Sequence, residues 1–244
     1  MINKISIIII TLNEEKYLPK VLDCLRKQIF KGKFEVIVVD GGSSDKTVEI
    51  AKKYKNKIQN LRIFKTWADI GHQRNEGAKN AKYKHLLFMD ADITFSNNLL
   101  SNFTEKINPE ENLINIPILL PIPEFSIPYF AYLAAGPLMA IYSLFSPITS
   151  GGFILTTKKN HFEIGGFKEK TVAAEDVDYG ERSVKNGAKL KIHYGSFVNY
   201  STRRAKKMGV LKMFQFYLKG FIYYKAHGVL YDRKKFNYTY GDYL

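Results

Sequence analysis

Cysteine is almost absent. Cys24 stands alone among 244 residues, so no internal disulfide forms, and the chain fits a reducing compartment. Its place in an amphipathic helical pattern makes it core packing rather than a nucleophile. A basic region followed by a cleavable apolar segment is also missing at the N-terminus: the apolar run 5–10 is short and leads straight into polar residues. The chain is therefore expected on the cytoplasmic side. Acids are scarce, 23 Asp and Glu against 37 Lys and Arg, and the formal charge of +14 calls for anionic partners: phosphates, nucleic acid or an acidic membrane surface. One stretch, 125–157, lacks charge entirely, yet Pro128, Pro137 and Pro147 interrupt it, which argues against a single spanning helix. Broken, interfacial or buried helices remain, either as a lid on the domain or as a surface dipping into a bilayer.

What is present alternates regularly. An Ile-rich strand at 4–10 leads into Thr11-Leu12-Asn13-Glu14-Glu15, and Tyr17, Leu18, Val21, Leu22 and Leu25 follow at helical spacing, with Glu14 and Glu15 expected in the first turn. A second strand at 34–39 meets Asp40-Gly41-Gly42-Ser43-Ser44-Asp45, where glycines allow close backbone approach, and a helix at 47–53. A third strand at 61–65 precedes a helix opened by Gly71-His72-Gln73-Arg74-Asn75, and a fourth at 85–89 ends in Asp90-Ala91-Asp92. Such units predict an α/β fold with a mixed, mostly parallel sheet and helices on both faces. Every polar loop then falls on one edge, so Asp40, Arg74, Asp90 and Asp92 converge there.

Two carboxylates one residue apart leave an extended chain on the same side and suit one hard cation, Mn²⁺ or Mg²⁺, bridged to phosphate. A solvated turn with a capping Asp is the competing account of Asp90-Ala91-Asp92. Further along come a helix at 97–106 and strands at 113–118 and 154–157, with Ser150-Gly151-Gly152 before the last. A helix at 158–164 follows. Then Glu175, Asp176, Asp178 and Glu181 crowd a helix start more densely than capping explains. Strands at 189–193 and 196–200 read as a hairpin through Gly195. The segment 201–244 carries ten Lys and Arg against two acids among aromatics, a basic amphipathic helix suited to an anionic membrane surface, with a dimer interface or core packing as alternatives.

Six stretches, in this order, resemble glycosyltransferase family 2, the inverting GT-A enzymes: SIIIITLNEE, EVIVVDGGSSDKT, GHQRNEGAKNA, LLFMDAD, SGGFILTTKKNHFEIGGF and AAEDVDYGERSVKNG. The resemblance implies a GT-A catalytic domain over 1–200, made of a nucleotide half 1–95 and an acceptor half 96–200 with an apolar insert 125–148, followed by the helical segment 201–244. It also implies a UDP- or GDP-sugar donor. Thr11, Asn13 and Glu14 would lie by the nucleotide, with Asp40 accepting from the base and Gly41 beside it. Arg74 and Asn75 would approach the nucleotide and its phosphates, and Asp90 with Ala91 the ribose or donor sugar. Asp92 would hold the divalent cation, and Gly151 and Gly152 would shape the acceptor side. Asp176, paired with Glu175, would be the general base, its proton affinity raised by crowding from Glu175 and Asp178. Arg203 or Arg204 would bind the diphosphate. His193 is an extra candidate metal or phosphate ligand, with a hydrogen-bonded structural role as the alternative.

The expected reaction is sugar transfer to a hydroxyl of a lipid-linked or other saccharide acceptor, by a peripheral or monotopic protein on the cytoplasmic membrane face. A polyprenyl phosphate acceptor is the alternative, although an anion needs no base. A nucleotidyltransferase would carry a glycine- and arginine-rich signature with a lysine after the first strand, which Thr11-Leu12-Asn13-Glu14 lacks. Nucleic acid is not an expected partner, because the positive charge lies beside apolar aromatic helices rather than along a stacking groove. Retention of Asp40, Asp92 and Asp176 argues against a catalytically dead relative.

Overall fold

The computed structural model describes residues 1–105, 107–122, 126–131, 134, 149 and 151–231. The apolar insert expected over 125–148 therefore lies largely outside the described residues, as does the chain after 231.

The first half is built of strand–helix units. They are β1 (Lys4–Thr11), α1 (Leu18–Arg26), β2 (Lys33–Asp40), α2 (Thr47–Tyr54), β3 (Leu61–Lys65), α3 (Ile70–Asn80) and β4 (His85–Asp90). Then come β5 (Ile93–Phe95), α4 (Leu99–Glu105), β6 (Leu113–Pro121), β7 (Phe153–Thr157), α5 (Lys158–Glu163), α6 (Glu175–Lys185), β8 (Lys189–Tyr200), α7 (Arg203–Met208) and α8 (Val210–His227). One eight-stranded sheet runs β3-β2-β1-β4-β7-β6-β8-β5. Strands β3, β2, β1 and β4 are mutually parallel; β7 runs antiparallel to both β4 and β6, β8 is parallel to β6, and β5 is antiparallel to β8.

Nearly every residue of β1, β2 and β4 is buried, as strands covered on both faces require. Their side chains alternate between two cores. Ile7, Ile9, Val36, Val38, Leu87 and Met89 meet α1 and Phe103 on one face, while Ile8, Ile37, Val39, Leu86 and Phe88 meet α3 and α6 on the other. Helix α3 lies close on β1 at Gly77, where an added Cβ would stand 2.3 Å from Ile8 Cγ2. Register then fixes the site edge: Thr11 pairs with Asp40, and Ile10 with Asp90, so three chain segments deliver their polar residues at one level.

Two local expectations need correction, and one strand was not expected. Residues 189–200 form the single strand β8 instead of a hairpin. Its pairing jumps from His193 opposite Pro117 to Phe197 opposite Ile118, so Gly195 lies in a bulge. Helix α1 starts at Leu18, with Pro19 in its first turn, and Glu14 and Glu15 stand ahead of it in the loop. The short β5, pairing with the end of β8, had no counterpart in the sequence reading.

The last helices are tied to the sheet domain. Tyr224 and Lys225 of α8 both bond Glu181 of α6, and Val172 N–H donates to Leu230 at 2.7 Å. Met213, Gly220 and Tyr224 are the buried residues of α8, while Leu211, Phe214, Leu218 and Ile222 stay exposed. No described helix is long and apolar enough to cross a membrane.

Candidate active site

The loops after β1 and β2 are stitched together residue by residue. The Asn13 N–H donates to Ser43 Oγ at 2.9 Å, Glu14 N–H to Thr47 Oγ1 at 2.7 Å and Glu15 N–H to Asp45 Oδ2 at 3.0 Å. In return, Ser44 N–H donates to Asn13 Oδ1 at 2.9 Å. Asn13 holds a left-handed backbone with φ 53°, a conformation asparagine tolerates better than most residues. Asp40 is buried at the base of this pair of loops and accepts from Thr11 Oγ1, Gly42 N–H, Ser43 N–H and Ser43 Oγ. Gln73 of α3 closes the floor by donating to the Thr11 and Val39 carbonyls.

Arg74 is the centre of the arrangement. Its side chain is 2% exposed, an unusual setting for a guanidinium without partners, and it has several. Nη2 donates to Asp90 Oδ1 at 3.0 Å and to the Gly151 carbonyl at 2.9 Å, and Nη1 to Glu175 Oε1 at 3.3 Å. Phe167 covers the guanidinium face 5.0 Å away. Burial works against the charge of Arg74, but Asp90, Glu175 and Asp176 more than offset this, and its pKa rises. Gly151 is required for this packing, since an added Cβ would lie 2.6 Å from Nη2.

Glu175 and Asp176 begin α6, immediately after Ala174, whose φ of 66° turns the chain into the helix. Asp176 Oδ2 accepts from Gly151 N–H and Oδ1 from Val177 N–H, both at 2.8 Å, while Thr149 Oγ1 donates to the Asp176 carbonyl. Burial raises the Asp176 carboxyl against the pull of the Gly151 N–H and Arg74. Burial, with Asp176 next in weight, pushes Glu175 up to about 7. Of the two carboxylates expected to crowd Asp176, Glu175 does so and Asp178 does not. Asp178 turns away to Arg182, which donates to it at 2.7 Å, and desolvation supplies most of the rise.

Across the same sheet edge, Arg203 at the start of α7 grips Glu14 with two bonds of 2.8 and 2.5 Å, and its Nε stands 3.3 Å from Asp92 Oδ2. Tyr17 stacks under the guanidinium at 4.6 Å. Burial pushes Glu14 up to about 7, opposed by Arg203 and reinforced by Asp92 and Asp90. Asp92 is raised as well, by burial first, with Arg203 opposing and Asp90 adding.

Other expected residues are held by contacts of their own. Arg203 is the arginine in ion-pair contact with Asp92, while Arg204 donates to Tyr217 of α8 and adds its charge at Asp92. Asn75 brackets the Phe167 backbone, donating to its carbonyl at 2.9 Å and accepting from its N–H at 2.8 Å, a loop-anchoring arrangement. His193 bonds Asn115 Oδ1 at 2.7 Å and packs on Phe103, the environment of a structural histidine. Ala91 is buried core, and Gly152 accepts from Asp90 N–H through its carbonyl. The sequence reading missed Ser43, Thr47, Gln73 and Thr149. Only Ser43 and Thr47 carried a signal, as hydroxyls within the loop after β2.

Among the described residues, no three His, Cys, Asp or Glu side chains form a metal cage. The donor set nevertheless fits a hard divalent cation. Glu14 and Asp92 share the Arg203 guanidinium, Asp90 adds further negative charge, and such cations take one or two carboxylates plus substrate phosphates.

Comparison with known proteins defines the class. Staphylococcus aureus TarS 1–349 in complex with UDP-GlcNAc superposes with a TM-score of 0.66 at 25% identity, covering 81% of this chain and 58% of that chain. Mannosyltransferase PcManGT from Pyrobaculum calidifontis, in complex with GDP-Man and Mn²⁺, superposes at 0.62 with 19% identity, over 80% and 56%. The architecture is GT-A, the fold of nucleotide-sugar transferases. The Glycosyl transferase family 2 model matches residues 6–168, and the chain belongs to that family. Among sequence relatives, poly(ribitol-phosphate) beta-N-acetylglucosaminyltransferase TarS of S. aureus strain MW2 is 27% identical over 207 residues, 82% of this chain and 36% of the relative. A Methanococcus voltae dolichyl N-acetyl-alpha-D-glucosaminyl phosphate 3-beta-D-2,3-diacetamido-2,3-dideoxy-beta-D-glucuronosyltransferase is 27% identical over 228 residues, 84% and 69% respectively. The chain thus spans about a third of the length of TarS.

Proposed function

We propose that the chain transfers a sugar, with inversion, from a UDP- or GDP-sugar to a hydroxyl of a lipid-linked glycan at a membrane surface. The observation that carries this reading is the reach of Arg74. One guanidinium joins Asp90, on the nucleotide edge, to Glu175, the neighbour of Asp176, so a donor site and a base are held at a fixed separation. Asn13 and the two loops that Thr11, Asp40 and Gly41 support from beneath would wall the base and ribose, with Arg74 behind them and Asn75 anchoring the Phe167 loop. Arg203 would leave Glu14 for the diphosphate, which offers its fork the same paired oxygens. Asp92 with Asp90 would hold Mn²⁺ or Mg²⁺, whose contribution when bound is to neutralise the leaving diphosphate.

Asp176, its proton affinity raised by burial, takes the proton of the acceptor hydroxyl beside Gly151 and Gly152. As the hydroxyl oxygen bonds to the anomeric carbon, the bond from that carbon to the diphosphate oxygen breaks on the opposite face, and the diphosphate leaves with the electron pair. One displacement inverts the centre and needs no covalent nucleophile. The lipid-linked acceptor is supported by the name of the M. voltae relative, and a peripheral place on the cytoplasmic membrane face by the basic, aromatic C-terminal segment.

The test is Asp176→Asn in a transfer assay with UDP- and GDP-sugars and lipid-linked acceptors. Turnover should fall by ~10²–10⁴-fold, the usual worth of a general base, with donor affinity retained. Unchanged turnover would overturn the hydroxyl-acceptor mechanism and favour a polyprenyl phosphate, which arrives already ionised.

A further inference from the structure

Trp67 is the one tryptophan of the sequence, and its place is peculiar. It follows β3 at the edge where β1, β2 and β4 deliver Thr11, Asp40 and Asp90. Its two neighbours touch the last residue of β2 and the first residue beyond it. The Thr66 N–H donates to the Asp40 carbonyl at 2.8 Å, and the Ala68 Cα lies 3.0 Å from where a Cβ on Gly41 would stand. The indole itself is 56% exposed, although burial is the usual preference of so large an apolar ring.

It is also fixed in orientation. The His72 ring stacks on it at 3.3 Å with an interplanar angle of 15°. His72 is pinned in turn: its Nε2 pairs with Thr66 Oγ1 at 2.8 Å, its Nδ1 faces Glu169 Oε1 at 3.2 Å, and its N–H donates to Asp69 at 2.7 Å. One indole face is therefore covered and held flat, and the ring is carried between two residues that touch Asp40 and Gly41, with more than half of it open to solvent. Asp40 meanwhile has both oxygens occupied by four donors and is 1% exposed, so the carboxylate has little capacity left for a base edge. A ring binding there needs another source of affinity.

We infer that Trp67 is the stacking platform for the nucleobase of the donor. This rests on the nucleotide-sugar reading and adds a residue to it. Aromatic stacking on a base tolerates either a uracil or a guanine ring and is worth ~1–3 kcal/mol. A preorganised indole contributes that without losing rotamer freedom on binding, since His72 has already ordered it.

The experiment follows tryptophan emission and heat in parallel while the full chain is titrated with UDP, and separately with GDP, in Mn²⁺. All the emission comes from Trp67, and saturable quenching with the same midpoint as the heat is expected for one of the nucleotides. Trp67→Ala should weaken that nucleotide by ~5- to 150-fold, the equivalent of the stacking range at ~1.4 kcal/mol per tenfold. Trp67→Phe should recover most of the affinity, and both variants should melt like the parent, because the ring is exposed. Heat without an emission change, or an unaltered affinity in Trp67→Ala, would overturn the inference and leave the nucleotide site standing. Quenching by free saccharide instead of nucleotide would also overturn it, assigning the platform to the acceptor. Absence of heat with either nucleotide would remove the donor reading and the inference together.

Discussion

Replacing Arg74 with methionine keeps much of the side-chain volume and removes the guanidinium, leaving Asp90, Glu175 and the Gly151 carbonyl without their shared donor. Deleting one partner of a buried ion pair costs ~3–5 kcal/mol. Two features of the site reduce that figure. The Asp90 side chain is 36% exposed and regains water, and Glu175, already pushed up to about 7, takes a proton in place of staying charged in the interior. The lower end, ~3 kcal/mol, is expected, and at ~2–4 °C per kcal/mol for a chain of this size the melting temperature should drop by ~6–12 °C. The pH dependence has a definite sign. Glu175 holds its proton more tightly when folded than at its ordinary 4.5, so its contribution is fully present below that pH and is lost as pH rises through about 7. Without Arg74 the folded carboxyl rises further, so the deficit against the parent should be largest near pH 8 and smallest near pH 5. Thermal unfolding followed by circular dichroism at both pH values measures this. A melting temperature within ~2 °C of the parent at both would refute the claim that Arg74 holds the two sides of the site together.

Other substitutions probe the same packing. Gly151→Ala places a Cβ 2.6 Å from Arg74 Nη2 and should cost ~1–3 kcal/mol of stability, together with transfer activity, measured as a melt and a rate. Gly77→Ala, with its Cβ 2.3 Å from Ile8 Cγ2, should destabilise by a similar ~1–3 kcal/mol, because backbone of α3 must lift from β1. Retention of the parental melting temperature in Gly77→Ala would show that the helix and strand are looser than described.

The first four strands and the helices between them were legible because each apolar run is short, continuous and closed by a polar loop, and parallel pairing then forces those loops onto one edge. Asp90, Asp92 and the Glu175-Asp176 pair stood out as candidates by the same logic, since carboxylate density at a strand end or helix start exceeds what capping needs. What joins them could not. Arg74 meets Asp90 and Glu175 at sequence separations of 16 and 101, and Arg203 meets Glu14 at 189, so these pairings exist only once the sheet is assembled. Gly195 misled because a glycine between two apolar runs signals a hairpin or a bulge equally, and the choice is made by the pairing of β8 with β6. Glu14 and Glu15 looked like first-turn acids because helical spacing begins at Tyr17. The chain instead spends them in the loop, where Glu14 receives Arg203 and Glu15 receives the Lys46 N–H.

The central claim is a donor site in which Asp92 and its neighbours bind a nucleoside diphosphate through a divalent cation. Isothermal titration with UDP and then GDP, each with and without Mn²⁺, on the parent and on Asp92→Ala, tests it most directly. The account predicts metal-dependent binding of one of the two nucleotides, abolished in the variant. Binding of neither nucleotide under any metal condition, or equal metal-dependent binding by Asp92→Ala, would contradict it.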